Sequence, residues 1–102
     1  MVENYKVITL CGSTKFKDQF MEVQKKLTLE GNIVVSVGCF GHASDIFSDE
    51  QKLMLDDMHK RKIDMADEIF VINVGGYIGE STKSEIEYAK KHGKNISYLV
   101  SD

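Results

Sequence analysis

Apolar residues recur along the chain in two rhythms. Val7, Ile8, Leu10 and Cys11 fall in a run from Tyr5 to Cys11, Ile33 to Val37 is a second, β-branched run, Glu68 to Val74 a third and Ile96 to Val100 a fourth. Short, nearly continuous apolar runs bounded by turn residues predict strands covered on both faces. Between them the spacing becomes helical. Phe16, Phe20, Val23 and Leu27 share one face of a helix that starts at Lys15 and ends near Gly31, with Lys17, Asp18, Lys25 and Lys26 on its wet side. Ser48-Asp49-Glu50-Gln51 is a capping box with acids in the first turn. It predicts a helix through Leu55, Met58 and Ile63 to about Ala66, with its methionines as core filler. A third helix carries Ile86 and Ala89 and stops at Gly93 after Lys90, Lys91 and His92.

Strands alternating with helices predict an α/β fold: one domain over residues 1–102, a three-layer flavodoxin-like or Rossmann-like parallel sheet of about four strands in the order 2-1-3-4. Ligands bind such sheets beyond the carboxyl ends of the strands, where the winding reverses, here between the first and third strands. Crossover handedness puts the first helix on one face and the other two opposite. Strands three and four are then bare on the first helix's side, with no residues after Asp102 to cover them. A homodimer or higher homo-oligomer is therefore expected, using Ile69, Val71, Ser97 and Leu99 or their alternating neighbours.

Composition narrows the ligand class. The chain is 42% hydrophobic and 28% charged, with 13 basic and 16 acidic residues and a formal charge of −3. Without a basic stripe it lacks the footprint of a nucleic-acid binder, and no apolar run is long enough to span a bilayer. The N-terminus has no basic region leading into an apolar segment, so the cytoplasm is the expected compartment and a small polar molecule the expected ligand. Cys11 and Cys39 lack C-x-x-C spacing, which points to free thiols rather than a zinc site or a disulfide framework. No metal or cofactor is required.

Candidate chemistry gathers at the predicted switch point. Asn73 ends the third strand, Gly75, Gly76 and Gly79 permit close backbone approach, and Ser81, Thr82 and Ser84 surround Glu85 with hydroxyls. Glu85 is placed in the first turn of the third helix, where the dipole favours an ionised carboxylate suited to nucleophilic attack; Thr82-Lys83-Ser84-Glu85 also reads as a plain capping box. Opposite lie Gly12, Ser13, Thr14 and Lys15, donors suited to a phosphate or carboxylate at a helix start. Neither a full P-loop nor a G-x-G-x-x-G follows the first strand. The loop from Gly38 to Phe47 reads either as a lid or as a surface loop that tucks in Phe40 and Phe47 and leaves His42 and Asp45 in water. Asp56, Asp57 and His59 read as acid–base groups or as a solvated helix face, Asp56 and His59 sharing a side. Asp64, Asp67 and Glu68 belong to the opposite end of the sheet.

Three segments carry a resemblance: Cys11-Gly12-Ser13-Thr14-Lys15, Ala66-Asp67-Glu68-Ile69-Phe70-Val71 and Glu85-Ile86-Glu87-Tyr88-Ala89. Over most of its length the chain resembles the nucleoside 2-deoxyribosyltransferase-like family, including its branch of 2-deoxynucleoside 5-monophosphate N-glycosidases. The resemblance implies that Glu85 is the nucleophile at the anomeric carbon and that Gly12 and Ser13 line the sugar or phosphate site. The family's second carboxylate falls near His59, with Asp56 one turn earlier as its substitute, and its polar residue before the nucleophile falls near Gly79, with Ser81 the nearest replacement. The implied activity is cleavage or transfer at the N-glycosidic bond of a nucleoside or nucleotide. Tyr77 would stack on the base or orient the glutamate, and His59 or Asp56 would protonate the leaving base. The alternative is a non-catalytic module that binds a nucleotide or phosphorylated ligand with the same two loops.

Overall fold

The computed structural model describes residues 2–38 and 47–100. Among these, strands β1 (Val7–Gly12), β2 (Ile33–Val35), β3 (Glu68–Ile72) and β4 (Asn95–Tyr98) alternate with helices α1 (Lys17–Leu29), α2 (Asp49–Asp64) and α3 (Glu80–Lys91). All strand pairs are parallel and the order is β2-β1-β3-β4, the α/β three-layer topology expected from the sequence. The lid or surface loop read between Gly38 and Phe47 lies, for residues 39–46, outside the described residues, as do Cys39, Phe40, His42 and Asp45.

β1 is central, so both of its faces are buried. Ile8 and Leu10 pack with Phe20, Val23 and Leu27 of α1, while Cys11 joins Ile63 of α2 and Ile86 and Ala89 of α3. Thr9, also fully buried, donates its hydroxyl to the Lys62 carbonyl at 2.9 Å, which gives its buried polar atom a partner. α2 opens on the expected capping box: Ser48 Oγ accepts from Gln51 N and Gln51 Oε1 from Ser48 N. Its methionines are not core filler. Met54 and Met58 are exposed, and the buried residues of α2 are His59 and Ile63.

The acidic residues assigned to the far end of the sheet are tied there. Asp67 Oδ2 accepts from Val7 N at 2.8 Å, Asp64 from the Tyr88 hydroxyl at 2.7 Å, and Glu68 pairs with Lys6 at 3.5 Å. The expected grouping of Ile69 and Val71 with Ser97 on one open face fails. Ile69 and Val71 are fully buried in the α2/α3 core, whereas register and strand alternation put Ser97 beside Phe70 on the α1 side. Among the described residues no helix is long and apolar enough to cross a membrane.

Gly12 sets how closely β1 and β3 approach at the end that matters for function. Its φ is +153°, and a Cβ there would lie 2.8 Å from the Ile72 carbonyl oxygen and 3.0 Å from Ile72 Cβ. Gly12→Ala should lower stability by about 2 kcal/mol or more through combined clash and backbone strain. Gly76→Ala, with φ +81° but open space around it, should cost only about 1 kcal/mol. Urea unfolding of the two variants checks the difference, and equal losses would remove the close approach as the cause.

Candidate active site

Reversal of the winding between β1 and β3 opens a crevice at their carboxyl ends. A pocket of roughly 650 Å³ fills it, within the range of small-molecule sites. Gly12, Ser13 and Thr14 form one wall, Asp56 and His59 of α2 the floor side, and Tyr77, Gly79, Ser81 and Glu85 the other wall. Lys15, Asn73, Gly75 and Gly76 are not on these walls. Gly75 and Gly76, with φ of 62° and 81°, shape the 3₁₀ turn Val74–Gly76 that leads to Tyr77. Asn73 spends its side-chain amide on the Val100 backbone, donating at 3.0 Å and accepting at 2.9 Å. Lys15 places its ammonium 3.7 Å from the centre of the Tyr77 ring, and Tyr77 meets Phe16 edge-on at 5.9 Å. That cation–π contact clasps the two loops together.

The first loop also differs from a plain helix start. Ser13 caps a short 3₁₀ turn, Thr14–Phe16, by accepting from Lys15 N at 3.4 Å, and α1 begins only at Lys17. The α1 N-terminus is thus set back from the pocket by that turn. On α2, Asp57 is exposed and off the pocket, whereas Lys52 and Lys62 join its lining, as does Phe47. Those lysines were missed. Their signal was the helical spacing of Lys52, Asp56, His59 and Lys62, which extends the Asp56–His59 face by a turn in each direction.

Glu85 is neither a cap nor a first-turn residue. α3 begins at Glu80, with Gly79 in extended conformation as its N-cap and no side-chain cap bond; Lys83 N donates to the Gly79 carbonyl at 2.9 Å. Glu85 therefore lies in the second turn, on the buried stripe of Thr82, Glu85, Ile86 and Ala89. Its carboxyl meets two side chains from other elements. His59 Nε2 is 3.8 Å from Glu85 Oε1 and 3.5 Å from Cys11 Sγ, and the thiol hydrogen-bonds to the carboxyl. Both side-chain contacts of the imidazole use Nε2, and the ring is also hydrogen-bonded to the Leu10 backbone.

Burial dominates the protonation of all three groups. Desolvation pushes Glu85 up to about 7; the Cys11 hydrogen bond and Lys60 oppose this and Asp56 adds to it. Desolvation, helped by Lys62, lowers His59 to about 4, against the Leu10 backbone hydrogen bond and Asp56. Cys11 is raised well above the ordinary thiol value by burial and by Glu85. At neutral pH the imidazole is uncharged and the thiol protonated, so the His59–Glu85 approach is not an ion pair. The expected dipole-stabilised carboxylate is corrected accordingly: one turn deeper in the helix, desolvation outweighs the dipole.

These shifts give opposite pH dependences. Glu85, raised in the folded state, contributes stability that is complete below about 4.5 and lost as pH rises through about 7. His59, lowered, contributes stability that is complete above about 6.5 and lost as pH falls through about 4. Glu85→Gln removes only the first. Its stability relative to the parent should rise between pH 4.5 and 7.5 by on the order of 3 kcal/mol, the equivalent of the Glu85 shift. Denaturant unfolding at the two pH values measures it, and a pH-independent difference would refute a strongly desolvated carboxyl.

No family model matches the chain, and no curated protein is significantly similar to it, so the chemistry rests on the pocket itself.

Proposed function

We propose that the protein cleaves or transfers at the N-glycosidic bond of a nucleoside or nucleoside 5-monophosphate through a glycosyl-Glu85 intermediate. One observation carries this reading: a buried glutamate forms part of the wall of a pocket bounded by both loops of the switch point. The Glu85 carboxylate attacks the anomeric carbon as the bond to the base breaks, and the base leaves with the bonding electrons and takes up a proton. Water or a second base then displaces the carboxylate and regenerates Glu85. Negative charge on Glu85 is most useful when positive charge develops on the sugar, and burial strengthens that attraction.

Neighbouring residues divide the remaining work. His59, neutral at pH 7, acts by holding Glu85 rather than as the acid. Asp56, on the same pocket and paired with Lys60 at 3.3 Å, is placed to orient the leaving base and the water that gives it a proton. Tyr77, about half exposed at the rim, offers a ring for base stacking. Gly12, Ser13 and Thr14, with Lys52 and Lys62, suit the sugar hydroxyls or a phosphate. The sequence resemblance supports the roles of Glu85, Gly12 and Ser13. Non-catalytic binding of a nucleotide would use the same walls and differs only in releasing no base.

A partner copy belongs to this proposal. On the α1 side of β3 and β4, Phe70 is only partly buried and Leu99 is 39% exposed. A second subunit covering this strip in a two-fold arrangement would complete the third layer.

Two experiments test the reading. Glu85→Ala should reduce base release from a panel of nucleosides and monophosphates by on the order of a thousandfold or more, while ligand-induced thermal shifts persist. Azide, small enough for the vacated space, should restore part of the turnover and yield a glycosyl azide; near-parental base release without azide would exclude Glu85 as nucleophile. Sedimentation equilibrium at micromolar concentration should give a dimer, and a clean monomer mass near 11.5 kDa would exclude the paired strip.

A further inference from the structure

We propose that Cys11 Sγ, His59 Nε2 and a Glu85 carboxylate oxygen form a three-ligand site for a thiophilic divalent transition metal, zinc in the first instance, with the fourth position open to the pocket. The three donors come from the end of β1, the middle of α2 and the second turn of α3, and all lie within 4.8 Å of one another. Each residue is buried, so the cluster is not the loose surface grouping that acidic side chains often make.

The spacing fits tetrahedral coordination. With zinc–sulfur near 2.3 Å and zinc–nitrogen near 2.0–2.1 Å, tetrahedral angles require sulfur and nitrogen about 3.5 Å apart, and nitrogen and oxygen about 3.3 Å apart. The structure has Cys11 Sγ to His59 Nε2 at 3.5 Å and His59 Nε2 to Glu85 Oε1 at 3.8 Å. One edge is already in place, the second is about 0.5 Å longer than the tetrahedral value, and the third, from Cys11 Sγ to the Glu85 carboxyl, lies within 4.8 Å, so the glutamate side chain is the ligand that must move in. The donor set selects the ion class: thiolate with imidazole favours zinc or its neighbours over magnesium and calcium, which take oxygen ligands. The Leu10 backbone holds the imidazole by a hydrogen bond, the kind of support that metal-ligating histidines use.

Charge balance favours occupancy. A divalent ion with one thiolate, one carboxylate and a neutral imidazole is electrically neutral, which a buried site tolerates. On binding, the thiol proton and any proton on Glu85 pass to solvent. His59 and Glu85 line the pocket while Cys11 lies fully buried behind them, so the ion enters from the pocket and presents its open position there. The site shares Glu85 with the proposed glycosyl chemistry, so ion and sugar exclude each other. Coordination itself does not depend on that chemistry.

Cobalt(II) added to the chelator-treated full chain, without substrate, gives the test. One equivalent should produce the visible bands of tetrahedral cobalt and a near-ultraviolet thiolate-to-cobalt charge-transfer band, and zinc should abolish both. Replacing the chain's other cysteine, Cys39→Ser, should leave the spectrum unchanged, and Cys11→Ser should remove the charge-transfer band. Glu85→Gln should weaken cobalt binding by at least about tenfold, which tests the site independently if Cys11→Ser fails to fold. A parent protein without the charge-transfer band, or a band lost with Cys39 rather than Cys11, overturns the site whatever base release shows. The full spectrum in a protein that releases no base supports the metal site and removes only the glycosidic reading.

Discussion

The reversal of winding between β1 and β3 is the constraint on which the rest depends. Because β1 lies inside the sheet, the chain must leave it toward β2 on one side and return to β3 on the other. The two loops that follow β1 and β3 diverge, and the space between them cannot be filled by either crossover. Gly12 sharpens the effect by letting the last residue of β1 sit against Ile72 at contact distance. The Lys15–Tyr77 contact then holds the rims of the two loops together across the opening. Pocket position thus follows from topology, and pocket width from one glycine and one clasp.

Much of this was legible in the sequence, because parallel strands and amphipathic helices are written in local apolar periodicity. The α2 start was readable for the same reason: Ser48 and Gln51 are three residues apart and need no distant partner. Glu85 was legible as a residue of interest but not in its setting. Thr82-x-x-Glu85 satisfies the capping pattern, yet the helix begins at Glu80, two residues before Thr82, behind the N-cap Gly79 that makes no side-chain cap bond, so the pattern had no competing local signal. The exposed methionines of α2 illustrate the same limit, since an apolar residue carries no mark of which side of its helix faces the sheet.

The Cys11–His59–Glu85 cluster lay beyond local reading. Cys11 and His59 are 48 residues apart in sequence, and their meeting depends on the register of β1 against β3 and on the placement of α2 over that face. Cys11 read as the last apolar residue of a strand, which it is, and His59 as one member of a charged helix stripe. Neither residue type is diagnostic alone. Alternation along β1 would have put Cys11 on the face opposite Ile8 and Leu10, and crossover handedness would have put α2 and α3 on that face. Together they place the thiol on the same face of the sheet as Glu85.

The electrostatic character of the cluster follows from where the nearby cations point. Lys60 is engaged with Asp56 at 3.3 Å, and Lys62 donates to the Ser36 carbonyl at 3.0 Å. His59, the one basic side chain in contact with Glu85 among the described pairs, is kept neutral by burial. When Glu85 ionises, burial penalises its charge and no full cationic partner among the described side chains offsets that cost, so its proton is held to about pH 7. An uncompensated buried carboxylate is costly unless the ligand supplies the missing positive charge. A sugar carbon passing through an oxocarbenium-like state supplies it transiently, and a divalent metal ion supplies it permanently. Both proposals draw on the same property: a negative charge placed at the switch point of the sheet, with its neighbouring lysines turned elsewhere.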